Sequence, residues 1–107
     1  MRYRTILHAV PRPIITRKTL GQAVRLLRET RSELSQERLG AQVGLDRTYV
    51  GGVERGERNP TFENLERLLG GLGITWSEFG QTLDSLAPHT LTESESPARR
   101  PKRGKER

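Results

Sequence analysis

Two short helical patterns meet within residues 35–56, SQERLGAQVGLDRTYVGGVERG. Ser35 is a favourable N-cap for the first pattern, which Gly44 ends, and Asp46 and Gly56 play the same parts for the second. Only three residues separate the two predicted helices. Two short capped helices are common in packed domains, but a tight glycine-containing turn between them is also typical of a helix-turn-helix, whose second helix can enter the major groove of DNA.

Three further helices flank this pair, because leucines recur at helical spacing on both sides of it. Their start signals are a Thr19–Gln22 capping box, the sequence Asn59-Pro60-Thr61, and a Thr75–Glu78 capping box. Nothing in the sequence is typical of a paired strand. We therefore expect an all-α fold, a compact five-helix bundle with very short connections.

The composition divides the chain into three parts. Residues 1–18 are β-branched and interrupted by prolines, which predicts an extended basic arm. Residues 19–87 form the predicted helical domain, with the helix-turn-helix at about 35–55. Residues 88–107 are too polar to bury a core and are expected to be a disordered basic tail. A domain of this size is close to the lower limit for an independent core, so dimerisation would stabilise it.

The net charge of +6 over 107 residues is unevenly distributed. Residues 1–18 contain five basic residues and no acidic one, and residues 97–107 contain six basic residues and one acidic one. Residues 19–96, in contrast, contain eight arginines and twelve acidic residues. The basic ends favour a polyanionic partner, although they could also serve only solubility. An acidic middle segment must bind nucleic acid through local geometry and not through bulk charge.

Several classes of protein are excluded by what the sequence lacks. It has no cysteine, hence no disulfide, cysteine nucleophile or thiolate zinc site. No carboxylate pair, Ser/His/Asp set, phosphate-binding glycine loop or metal cluster occurs at a workable spacing, so we expect no enzyme activity, no metal and no cofactor. No apolar run is long enough for a membrane span or a signal peptide. We expect a cytoplasmic, nucleoid-associated protein.

Three motifs together resemble the XRE family, the Cro and phage-repressor type of helix-turn-helix proteins. They are LSQERLG at 34–40, VGL at 43–45 and VERGERNP at 53–60. The resemblance covers residues from Leu20 to about Phe79. It implies a lambda-repressor-like domain in a sequence-specific transcriptional regulator that binds a palindromic operator in double-stranded DNA as a homodimer.

The resemblance also implies which residues contact DNA. Gln36 begins the first motif helix, where helix N–H groups and the amide meet a phosphate. Arg47 is placed to contact guanine O6 and N7, and Thr48 to contact a thymine methyl group. Tyr49 would contact a phosphate or sugar, or else cover the core. The remaining positions are Gly52 in the recognition helix and the phosphate-contacting Arg55, Arg58 and Asn59, of which the two arginines could instead pair with Glu54 or Glu57.

Other positions are assigned to structure. The family pairs a glutamate at Glu54 with an arginine of the first helix, here Arg28 or Arg25. The segment 31–33 is one residue longer than the common family spacing, so the first helix is expected to end differently. Gly51 and Gly52 are unusual inside a helix; close approach of DNA or a partner, helix deformation and drift are all explanations. We also expect Gly40 and Gly70 to allow close helix crossings.

Two questions stay open at this level. The regulator could be a phage or plasmid repressor, a restriction–modification controller or an antitoxin. The alternative to a regulator is a protein-interaction module that binds a toxin or an RNA polymerase subunit, which the acidic middle favours. If the chain dimerises, we expect the fifth helix to form the interface, through Trp76, Phe79, Leu83 and Leu86.

Overall fold

The computed structural model describes residues 12–88, which contain five α-helices and, in strand geometry, only an isolated bridge at Pro13. The expected all-α five-helix fold is therefore confirmed. The helices are α1 (Arg17–Leu27), α2 (Gln36–Val43), α3 (Arg47–Glu54), α4 (Phe62–Leu72) and α5 (Trp76–Leu86), and a π-helical turn, Arg28–Ser32, continues α1. No helix within residues 12–88 has the length and apolar character needed to cross a membrane.

The chain forms two compact units. Residues 15–87 make up the helical unit, and residues 12–14 with Pro88 are the described part of the other. In the described part of the second unit, the N–H of Ile14 donates to the carbonyl of Pro88 at 3.1 Å. Residues 1–11 of the predicted arm and 89–107 of the predicted tail lie outside the described residues.

Short-range capping sets most of the helix boundaries. The hydroxyl groups of Ser35, Thr61 and Thr75 each accept a backbone N–H from three residues further along, at 3.1, 3.0 and 3.1 Å. Gly44 ends α2 and Gly73 ends α4, both in the left-handed region with φ of 79° and 74°, which a residue with a Cβ adopts only with strain. These boundaries agree with the sequence prediction because each depends on only a few neighbouring residues.

The predicted start of the first helix is wrong. Thr16, and not Thr19, is its N-cap: the Thr16 hydroxyl accepts the N–H of Thr19 at 3.2 Å, and the Thr19 hydroxyl accepts the N–H of Thr16 at 3.4 Å. The predicted capping box of Thr19 with Gln22 therefore does not form. Since α1 begins at Arg17, two residues assigned to the extended arm are helical.

The core lies between the helices, where α1 packs on α3 and α5, and α2 packs on α3 and α4. Helices α1 and α3 cross so closely that a Cβ on Gly21 would lie 2.3 Å from the Val53 carbonyl oxygen. A Cβ on Gly40 would lie 2.4 Å from the carbonyl oxygen of Leu45. A Cβ on Gly70 would meet no atom of a neighbouring element within 4 Å, so the close crossing predicted there is wrong. The largest fully buried side chains are Phe79, Leu39, Leu68, Leu69, Val24, Val50 and Val53.

The π-helical turn accommodates the extra residue in the segment after α1. A π-helical turn bonds each N–H to the carbonyl five residues earlier, so it contains one residue more than an α-helical turn. The N–H of Glu33 donates to the Arg28 carbonyl at 2.7 Å, and Glu33 itself has a φ of 60°. The extra residue is thus accommodated after α1 while Arg28 keeps its position, where it pairs with Glu54.

Candidate nucleic-acid interface

Helices α2 and α3 form the helix-turn-helix, joined by residues 44–46. The turn is held by the N–H of Leu45, which donates to the Gly40 carbonyl at 2.8 Å. This short distance is possible because Gly40 has no side chain to contact Leu45. The turn directs the first residues of α3 to the surface, and both Arg47 and Thr48 are exposed.

The N-terminus of α3 presents one unengaged cation. The guanidinium of Arg47 forms no hydrogen bond or ion pair with any other residue in the part of the chain that the structure describes. The hydroxyl of Thr48 donates to the carboxylate of Asp46. Asp46 is the N-cap residue, as predicted, but its carboxylate accepts this hydroxyl and no backbone N–H. Arg47 is therefore the residue of this turn whose donors are all available to a ligand.

Tyr49 is both a core residue and a surface residue. Its ring packs against the core, as the alternative interpretation of this position expected. Its hydroxyl accepts a hydrogen bond from the Asn64 amide at 3.1 Å, and the guanidinium of Arg58 lies 5.3 Å above its ring. The hydroxyl proton is still available to a phosphate oxygen.

The loop after α3 carries the other predicted contacts. Arg55 pairs with Glu57 at 3.1 Å, and both side chains are more than half exposed. One of the predicted surface pairs thus forms, and such a pair contributes little to stability. Arg58 reaches back over Tyr49, and Asn59 is exposed.

A partly buried cluster of polar side chains, centred on the buried Glu54, lies behind the interface. The guanidinium of Arg28 donates to both carboxylate oxygens of Glu54, at 2.7 and 3.0 Å, and to the Leu34 carbonyl at 2.9 Å. The hydrogen bond to Glu54 raises the pKa of Arg28 above its ordinary value. The alternative partner, Arg25, instead pairs with Glu29 on the surface at 3.1 Å.

Gln36 belongs to the same cluster. Its side-chain amide nitrogen donates to a Glu54 oxygen at 2.9 Å. The amide was predicted to face a phosphate; in the structure one of its two N–H groups is directed inward. The backbone N–H groups in the first turn of α2 are therefore better suited to bind an anion than the Gln36 side chain.

The two glycines of α3 are buried and are approached by side chains of the same chain. A Cβ on Gly52 would lie 2.7 Å from Cγ of Arg58, and one on Gly51 would lie 3.0 Å from Nη1 of Arg55. Within the chain, the group that lies closest to Gly52 is therefore the stem of Arg58, and close approach of DNA or of a partner to this glycine stays a prediction.

The sequence placed Arg17 and Lys18 in the basic arm and did not predict that they lie in a helix beside this loop. Arg17 and Lys18 form the first turn of α1, and a Cβ on Gly56 would lie 3.0 Å from the Cα of Lys18. Cations at a helix N-terminus oppose the helix dipole, so the charges of Arg17 and Lys18 do not stabilise α1. A role outside the helix would explain why basic residues occupy these positions. No local signal distinguished the two candidate N-caps, Thr16 and Thr19, so the sequence did not show that Arg17 and Lys18 are helical. Among residues 12–88 there is no group of acidic and histidine side chains that could hold a metal ion.

Comparison with known proteins identifies the arrangement. Residues 24–79 match the family described as helix-turn-helix. The control protein C.MunI of Mycoplasma sp. is 48% identical over 58 residues, which cover 54% of this chain and 78% of that protein. The crystal structure of the restriction–modification controller C.AhdI of Aeromonas hydrophila is similar, with 46% identity and a TM-score of 0.56 over 59% of this chain and 94% of that one.

A second controller, C.Esp1396I, is similar in a structure described as a tetramer in complex with its natural 35 base-pair operator. It is 30% identical, with a TM-score of 0.61 over 65% of this chain and 91% of that one. Solved variants of that controller replace an arginine, a threonine and a tyrosine at consecutive positions, and a second arginine eleven positions after the first. The chain has the same residue types at the same spacing in Arg47, Thr48, Tyr49 and Arg58.

Proposed function

Since the chain belongs to the XRE-type helix-turn-helix family of DNA-binding transcriptional regulators, we propose that it is the controller of a restriction–modification system and binds a partly palindromic operator as a homodimer. This is a binding function and not an enzymatic one. It places the protein in the cytoplasm, on the nucleoid. The observation that carries the DNA-binding part of the proposal is the exposed Arg47 in the first turn of α3, whose guanidinium is unengaged. Similarity to known controller proteins supports the assignment to a restriction–modification system.

Base reading is assigned to the N-terminus of α3. Two of the five N–H donors of an arginine guanidinium match O6 and N7 of guanine in the major groove, which is the commonest specific contact to a base. The exposed Thr48 methyl group lies one residue further on and would contact a thymine methyl group. Both side chains leave the same helix turn, so they would read neighbouring base pairs.

Phosphate contacts are assigned to the surroundings of this helix. Arg55, Arg58 and Asn59 lie in the loop that follows α3, and the start of α2 supplies backbone N–H groups. Arg17 and Lys18 add two positive charges beside the same loop. This local concentration of basic groups explains how a domain with an acidic middle segment would attract DNA.

The proposed dimer uses the exposed apolar side chains of α5. Trp76 is 41% exposed and Leu86 is 36% exposed, with Leu83 partly buried between them. Phe79, which the sequence assigned to this surface, is 2% exposed and belongs to the core.

A Leu86→Glu variant should sediment as a monomer at concentrations where the unmodified protein is a dimer. Leu26→Glu is the matched control, because Leu26 on α1 is 40% exposed.

Selection from a pool of random DNA duplexes tests the proposed operator binding and the proposed dimer. We expect enrichment of two inverted half-sites with centres about 10 base pairs apart, or a multiple of this spacing, because two recognition helices related by a two-fold axis meet the same face of the DNA. A selection that enriches no motif would contradict the proposal and favour the alternative of a protein-interaction module. A single asymmetric half-site would contradict the dimer alone.

A further inference from the structure

Gly52 and Arg58 are packed against each other where α3 meets the following loop. Gly52 is buried in the middle of a helix, a position where glycine costs about 1 kcal/mol relative to alanine. A Cβ at this position would lie 2.7 Å from Cγ, 3.6 Å from Nε and 3.8 Å from Cβ of Arg58. The stem of the arginine therefore occupies the space that a side chain on Gly52 would fill.

The backbone of the loop is fixed at the same place. The carbonyl of Gly52 accepts the N–H of Glu57 at 2.9 Å and the N–H of Arg58 at 3.2 Å. These two bonds hold the Cα of Arg58 close to α3. Because the clash would be with Cγ, near the root of the side chain, rotating only the tip of the arginine cannot relieve it. Rotation about the first side-chain bond would relieve it, and that rotation moves the guanidinium.

The guanidinium is held by a second contact. It lies 5.3 Å above the Tyr49 ring, and the Tyr49 hydroxyl is fixed by the amide of Asn64 at 3.1 Å. A cation over an aromatic ring is attracted by the negative face of the ring. A long side chain restrained in this way loses less conformational entropy when it binds a ligand.

We infer that Gly52 is a positioning residue for DNA binding, which acts by leaving room for Arg58 to lie over Tyr49 with its guanidinium ordered before DNA arrives. The inference rests on the proposed function, in which Arg58 contacts a phosphate. In this inference the glycine serves to position the side chain of Arg58, and not to let DNA approach the helix directly.

The test compares Gly52→Ala, Arg58→Ala and the double variant in binding to the selected operator duplex. We expect each single variant to bind about tenfold more weakly, the range of one charge-assisted hydrogen bond. Each should also lower the slope of log affinity against log salt concentration by about 1. The double variant should bind no more weakly than Arg58→Ala alone, because Gly52 acts through that side chain. Gly70→Ala is the matched control, since a Cβ there meets no atom within 4 Å and binding should not change.

A measurement on the free protein separates this inference from the proposed function. In the NMR spectrum, side-chain protons of Arg58 should show a ring-current shift from Tyr49 that is absent in Gly52→Ala and kept in Gly70→Ala. Retention of that shift in Gly52→Ala, or additive weakening in the double variant, would overturn the inference while Arg58 kept its role. An Arg58→Ala variant that binds as tightly as the unmodified protein would overturn the phosphate contact and the inference with it. Thermal melting of Gly52→Ala verifies that it is folded.

Discussion

The guanidinium of Arg28 and the carboxylate of Glu54, 26 residues apart in the chain, form a two-pronged ion pair with N···O distances of 2.7 and 3.0 Å. The Glu54 side chain is only 2% exposed and that of Arg28 only 12%. Arg28 follows the last residue of α1, and Glu54 is the last residue of α3. The pair therefore fixes the far end of the recognition helix relative to α1, with Gln36 at the start of α2 as a third member.

Replacing Glu54 with alanine should destabilise the fold strongly. It leaves the partly buried Arg28 guanidinium without its carboxylate; breaking a fully buried pair from one side costs about 3–5 kcal/mol, and we expect a loss near or below the lower end of that range. The measurement is the free energy of unfolding in urea. Glu57→Ala is the control, because it removes an exposed pair with Arg55 and should change stability by less than about 1 kcal/mol. Equal stabilities for the two variants would show that the buried pair does not hold α1 to α3.

Helix boundaries were predictable from the sequence where one or two neighbouring residues determine them. Ser35, Thr61 and Thr75 cap their helices through hydroxyl groups, and a glycine ends a helix because it adopts the left-handed region. The start of α1 was not predictable in this way, because Thr16 and Thr19 are both at capping distance from helical residues. The basic Arg17 and Lys18 disfavour a helix start at Thr16, and tertiary packing of α1 against α3 outweighs that preference.

The interface was predictable in its positions but not in its internal contacts. Arg47 and Thr48 lie at the exposed start of α3, as the motif spacing indicated. The packing of Gly52 against Arg58 and the inward turn of the Gln36 amide depend on how the loop after α3 and the buried Glu54 are arranged. Such contacts join residues that are distant in sequence, so no local pattern contains them.

The glycines provide a second test of the packing. Gly21→Ala should lower stability, because its Cβ would lie 2.3 Å from the Val53 carbonyl oxygen and 2.5 Å from that of Glu54, and backbone atoms cannot move aside cheaply. Gly70→Ala should raise stability by about 0.5–1 kcal/mol, since the site is open and alanine favours a helix. Thermal melting distinguishes the two. A stabilised Gly21→Ala would show that α1 and α3 are further apart than described.

Stability should depend on pH through Glu78 in the capping box of α5. Its pKa is lowered, first because the carboxylate accepts the N–H of Thr75 at 2.9 Å and further because Arg31 lies nearby, at 3.5 Å. A carboxylate with a lowered pKa stabilises the fold above the ordinary glutamate pKa of about 4.3, and this contribution disappears as the pH falls through the lower folded-state value.

The measurement for this effect is the difference in melting temperature between the unmodified protein and Glu78→Gln. We expect the unmodified protein to melt higher at pH 7 and the difference to become smaller as the pH falls below about 4.3. Glu63→Gln is the matched control, because it removes an acidic side chain from the first turn of α4. A difference that stays constant from pH 7 to pH 3 would contradict the assignment to the ionised carboxylate.

Two changes should separate base recognition from phosphate contact: the substitution Arg47→Ala and the deletion of residues 97–107. Arg47→Ala should cost about 1–3 kcal/mol on the preferred operator and relax the preference at one base position, because the exposed fork of Arg47 is assigned to a guanine edge. It should leave the slope of log affinity against log salt almost unchanged, since the base contact itself releases no counterion.

Deleting residues 97–107, which carry six basic residues and one acidic residue, should have the opposite effect. It should weaken binding to all sequences similarly and reduce the salt slope by about 1 for each phosphate that is no longer bound, because fewer counterions are released on binding. Titrations of the operator and of an unrelated duplex at several salt concentrations measure both quantities. A deletion that changes the base preference, or an Arg47→Ala variant that weakens every duplex equally, would reverse the two roles, because a bond to a base edge discriminates between sequences and a bond to a phosphate does not.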